Sequence, residues 1–68
     1  MTVIMERVGR NVRRRRAALG WTQQTLADKI GTSRIYVAQV EAASKELSLE
    51  MLERFAKALR VKPSALLD

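Results

Sequence analysis

Between Gln23 and Glu41 the chain reads QQTLADKIGTSRIYVAQVE, two short stretches of helical periodicity that meet at Gly31, and no other segment restricts the fold as much. Helices joined by so brief a turn cross steeply. Such a crossing needs a small residue where the two backbones approach, a residue that tolerates positive φ at the turn, and apolar groups that lock the second helix onto the first. Ala27 supplies the first, Gly31 the second, and Leu26, Ile30, Val37 and Val40 the third.

The flanking sequence is helical by the same criterion. Val8, Val12 and Leu19, with Met5, make a narrow stripe that predicts a first helix from about Met5 to Leu19, stopped by Gly20. Arg15 and Arg16 border that stripe, whereas Arg10, Arg13 and Arg14 point away from it. Thr22 is the expected cap of the second helix, Gln23 to Ile30, and Thr32 or Ser33 of the third, Arg34 to Ala42. At 100° per residue Tyr36, Val37 and Val40 fall within an inward arc of about 100°, while Arg34, Ile35, Ala38, Gln39 and Ala42 share an outward arc of about 140°. A loop from Ala43 to Leu47 leads to Ser48, expected to cap a fourth helix that ends at Leu59 and buries Leu49, Leu52, Phe55, Ala56 and Leu59. Pro63 suits the first position of a last short helix reaching Leu67. No strand pattern competes, so the expected fold is all-α: five helices in one compact domain over residues 1–68.

Composition narrows the function. A chain of 68 residues has little material for a deep pocket beside its core, and with no Cys and no His it lacks disulfides, thiolate or imidazole metal sites and His-based triads. A hydrophobic share of 47% with 29% charged suits a folded domain that needs neither metal nor cofactor. Uninterrupted apolar stretches, such as Val3 to Met5, are only a few residues long, so neither a membrane span nor a signal-peptide core is expected, and the expected location is the cytoplasm. The net charge of +6 is concentrated at the start: Met1 to Gly20 holds six Arg and one Glu, a net +5. The run Arg13 to Arg16 reads equally as a solvated helix face or as a phosphate-binding surface.

Taken together, these features resemble the lambda-repressor/Cro-like helix-turn-helix family, also called the XRE family. The likeness runs from about Val8 to Leu67 and includes Arg16 four residues before Gly20, the Val40-Glu41 pair that ends the third helix, and the Ser48-Leu49 opening of the fourth. The sequence departs from the family at Ala43, where glycine is usual, at Leu47, where proline is frequent, and at Arg15, which replaces an apolar residue. The resemblance implies a third helix lying in the major groove and a second crossing the phosphate backbone, with residues 23–41 as the binding unit. Arg34, Ile35 and Gln39 match base readers, and their chemistry suits guanine, a thymine methyl and adenine respectively. Tyr36 fits a core position and a groove contact equally well. Gln23, Ser33, Ser44 and Lys45 match phosphate-binding positions, and Arg13 and Arg14 join them as candidates from the basic run. Arg16 and Glu41 match positions that pair across the first and third helices.

The resemblance further implies a homodimer on an inverted-repeat operator in double-stranded DNA, with a dimerisation region over about 47–68. Met51, Val61, Pro63, Leu66 and Leu67 are its candidate residues, and RNA polymerase is a candidate further partner. An enzyme is the weakest rival, lacking paired carboxylates in one pocket and a phosphate-cradling glycine loop. A sequence-blind compaction protein is disfavoured by the neutral binding unit. The expected function is an autoregulatory transcription regulator with no small-molecule ligand and a nucleoid-associated location. The Arg34-Ile35-Tyr36 run looks closest to restriction-modification controller proteins; a Cro-like phage repressor and an antitoxin-type binding module are the alternatives.

Overall fold

The computed structural model describes residues 2–68, which form five α-helices: α1 (Val3–Ala18), α2 (Gln23–Ile30), α3 (Arg34–Glu41), α4 (Leu49–Leu59) and α5 (Pro63–Leu67). Short polar side chains decide where the helices begin. The hydroxyl oxygens of Thr22, Ser33 and Ser48 accept from the backbone N–H three residues on, at 3.0, 3.1 and 3.1 Å, satisfying donors that a helix start leaves unpaired. Thr2 does the same for Met5 at 3.1 Å. For that reason α1 starts at Val3, two residues ahead of the apolar stripe that suggested Met5.

Left-handed residues decide where four helices end. Gly20 (φ +74) follows α1 and Gly31 (φ +83) follows α2. After α3 and α4 the same conformation falls on Ala43 (φ 58) and Arg60 (φ 62), where a β-carbon adds strain. The turn after α3 is still fully made, with Ala43 N–H donating to Val40 O at 3.0 Å and Ser44 N–H to Gln39 O at 2.9 Å. Consequently α3 stops at Glu41, one residue short of the expected end, and Ala42 is its cap.

Phe55 is the largest fully buried side chain and shares one core cluster with Val8, Val12, Leu26, Val37, Val40, Leu59 and Leu66. Helix α1 packs on α3 and α5 and, more lightly, on α4, while α2 bridges α3 and α4. Two expectations change here. Leu49, assigned to the buried stripe of α4, is 80% exposed, because it sits in the first turn and roughly 60° around the helix from Leu52, beyond the arc its neighbours cover. Leu66 is fully buried and therefore unavailable to an interface; of the adjacent pair, only Leu67 reaches the surface. None of the described helices is long and apolar enough to cross a membrane.

Candidate nucleic-acid interface

Helix α3 presents a mixed face outward. Arg34 and Gln39 are exposed, and Ile35, one turn before Gln39, is 61% exposed. Ala38 and Ala42 lie between them and leave the helix surface low, so that it can approach a groove closely while longer side chains flank it. Ser33 spends its oxygen on the cap of α3 and keeps a hydroxyl proton at the helix N-terminus, where the partial positive charge favours an anion. Tyr36 is half-buried: its ring packs against Phe55 at 6.3 Å between centroids, and Lys45 Nζ lies over the same Tyr36 ring, 5.6 Å from its centre. Burial pushes its phenol above the ordinary range, so at neutral pH it is a donor.

A polar lattice fixes α3 to the rest of the molecule. Arg16 on α1 donates from Nε to Glu41 Oε2 at 2.6 Å and from Nη2 to Oε1 at 3.0 Å. Its third nitrogen, Nη1, donates to the Trp21 carbonyl at 2.7 Å, and Gln23 Nε2 donates to Glu41 Oε1 at 3.1 Å. The hydrogen bonds that Arg16 donates to Glu41 hold the guanidinium pKa above its usual value against the opposing effect of burial. With the Glu41 side chain only 5% exposed, the end of α1, the start of α2 and the end of α3 share one desolvated carboxylate. Gln23 is thus partly committed to the protein, with one amide N–H left to donate elsewhere.

Arg13 stands at the edge of α3, lining one shallow depression with Gln23, Ala38 and Ala42. Arg14 does not join it. Its Nη2 donates to Asn11 Oδ1 at 2.9 Å, and Asn11 Nδ2 donates to the Leu66 carbonyl at 3.0 Å, which draws Arg14 to the α5 side of α1. The two arginines grouped by sequence therefore occupy different surfaces. Ser44 donates its hydroxyl to Gln39 O at 3.2 Å, and Lys45 is exposed beside Tyr36. The five dimer candidates do not form one surface either. Val61 and Pro63 line one depression beside α4, Leu67 lines another with Ile4 and Leu49, and Met51 lies on α4 roughly 160° around from Leu49.

Two residues that matter here were not singled out from sequence. Gly9 is where α1 touches the end of α3: a β-carbon there would lie 2.5 Å from Val40 O and 2.8 Å from Glu41 O. A glycine inside a helix, at a cost of roughly 1 kcal/mol relative to alanine, is itself a signal of such an approach. Asn11, 5% exposed, is the buried polar residue of the core, and its position at the rim of the Val8 stripe was the only hint.

The family model HTH_3, Helix-turn-helix, matches residues 12–66. The chain therefore belongs to the helix-turn-helix family, a family of DNA-binding transcription regulators rather than enzymes. Among its relatives, the control protein C.BamHI of Bacillus amyloliquefaciens is 36% identical over 47 residues, covering 69% of this chain and 58% of that protein. The restriction-modification controller protein C.AhdI of Aeromonas hydrophila superposes with a TM-score of 0.87 at 35% identity, over 91% of this chain and 94% of the other. The P22 c2 repressor, solved in complex with a synthetic operator, gives 0.84 at 33% identity over 90% and 92%. The chain thus spans less than two thirds of the length of C.BamHI and nearly the whole of the two solved domains.

Proposed function

We propose that this chain is a sequence-specific, double-stranded-DNA-binding transcription regulator of the controller type, acting in the bacterial cytoplasm on its own promoter. The observation that carries the reading is the outward face of α3, where Arg34, Ile35 and Gln39 stand free while the helix behind them is locked by Arg16 and Glu41. Arg34 and Gln39 read base edges, Ile35 meets a thymine methyl, and Arg13, Gln23, Ser33, Ser44, Lys45 and the Tyr36 hydroxyl meet phosphates. Similarity to C.BamHI and C.AhdI supports the controller assignment. Similarity to the P22 c2 repressor favours repression as the second reading.

One short reading helix covers only a few base pairs, so the active species is a homodimer on an inverted repeat with half-sites about 34 Å apart. Leu67, Leu49 and Ile4, exposed around one apolar depression, are its best-placed contacts. Leu67→Glu should shift the protein to monomer and remove operator binding, whereas Leu66→Glu should unfold it.

The test is selection from a randomised duplex library, followed by footprinting upstream of the protein's own gene. Arg34→Ala should lose roughly 1–3 kcal/mol on the selected site and relax preference at one base pair. Loss of equal size on random DNA would show that Arg34 is not a base reader. A transcription assay on the footprinted promoter separates activation from repression.

A further inference from the structure

Of the arginines on α1, Arg13 and Arg16 serve the α3 surface and Arg14 does not. Arg7, Arg10 and Arg14 follow one another at three- and four-residue spacing, which places them within an arc of roughly 60° and along about 10 Å of helix axis. The arc is centred roughly 140° around α1 from Gly9 and Arg16, which meet α3, and faces away from Val8 and Val12 in the core. All three side chains are exposed. The ion pairs among the described residues join other groups, Arg16 to Glu41 and Arg54 to Glu50. Like charges at this spacing repel and weaken a helix, a loss that a polyanion reverses.

We propose that this stripe is a second, sequence-independent surface for duplex DNA, gripping phosphates of a segment other than the one read by α3. It rests on the reading of α3 given above. Guanidinium groups match phosphate oxygens in bidentate fashion, and contacts to phosphate carry no base information. A straight duplex seated on the outward face of α3 does not also pass behind α1, so the stripe meets either a neighbouring segment or a second duplex. Protein held on an operator presents the stripe to nearby DNA at high effective concentration, so a weak contact suffices. An acidic face of a second copy is a poorer fit, because the exposed surface of α4 interleaves Glu50 and Glu53 with Arg54 and Lys57, and Glu50 is already paired.

The double variant Arg7→Gln/Arg10→Gln leaves the Arg14–Asn11 bond and every residue assigned to the α3 surface untouched. Protein is loaded onto bead-bound selected duplex, with enough of that duplex to fill the reading faces, and then offered a fluorescent duplex of unrelated sequence. The wild type should retain the second duplex, and the double variant should retain at least about tenfold less, with a salt slope shallower by about 1.8 units for two lost contacts. Its Kd for the selected site at the same salt should change by less than about threefold, and Arg7→Lys/Arg10→Lys should keep most of the retention because phosphate binding tolerates a point charge. Retention that is absent in the wild type or unchanged in the variant overturns the proposal. An equal loss on the selected site does so too, by assigning the stripe to the operator itself, as does a stripe-dependent change in sedimentation without DNA, by assigning it to a second copy. If the wild type selects no site at all, the reading of α3 fails first and this proposal falls with it.

Discussion

On the flank of α1 that faces α3, a glycine admits two carbonyls and a bidentate ion pair closes the contact; on the flank that faces α5, one amide reaches one carbonyl. The first contact tolerates almost no displacement, since backbone meets backbone and a nearly buried carboxylate answers a guanidinium. The second is a neutral bridge that water or another amide can replace. The base reading proposed for α3 needs a helix held to within a fraction of an ångström, and the rigid flank is the one that holds α3. The C-terminal helix gives Leu66 to the core.

The comparison makes its largest prediction at Glu41. Glu41→Ala strands Arg16 and Gln23 beside a desolvated space and should cost roughly 3–5 kcal/mol in urea denaturation, while Glu46→Ala, on the exposed loop, should stay within about 0.5 kcal/mol. Equal midpoints for the two would remove the ion pair from the account. Gly9→Ala should follow at about 3 kcal/mol, since the atoms its β-carbon meets are backbone and cannot swing aside. Operator affinity should fall as well, measured well below the melting temperature, because α1 and α3 must part.

Across the molecule, Asn11→Ala leaves the Leu66 carbonyl without its donor and should cost about 1.5 kcal/mol. Operator affinity of the folded protein should be unchanged. A loss of binding comparable to that of Gly9→Ala would erase the distinction between the flanks. The smallest effect is expected at the end of α3, where Ala43→Gly relieves a left-handed β-carbon and should raise stability by about 1 kcal/mol. A destabilised Ala43→Gly protein would mean that the alanine methyl packs there more strongly than its conformation strains.

The number and order of the helices were legible because each depends on neighbours in sequence. Thr22, Ser33 and Ser48 offer an oxygen to the backbone three residues on, Gly20 and Gly31 accept a left-handed turn, and the apolar spacing within α1 and α4 marks one face of each. The outward position of Arg34, Ile35 and Gln39 follows from the same arithmetic. A helical angle, however, says only how far a side chain stands from its own stripe, not which neighbour overhangs it. That is why Leu49 proved exposed, why Leu66 rather than Leu67 entered the core, and why Arg14 parted from Arg13. Local chemistry settled the number and order of the helices, the starts of α2, α3 and α4 and which α3 side chains point outward, since these are matters of capping, φ and periodicity. What each border residue of α1 meets depended on packing, because Gly9 and Asn11 take their partners from helices that the chain reaches many residues later, and Arg14 follows Asn11.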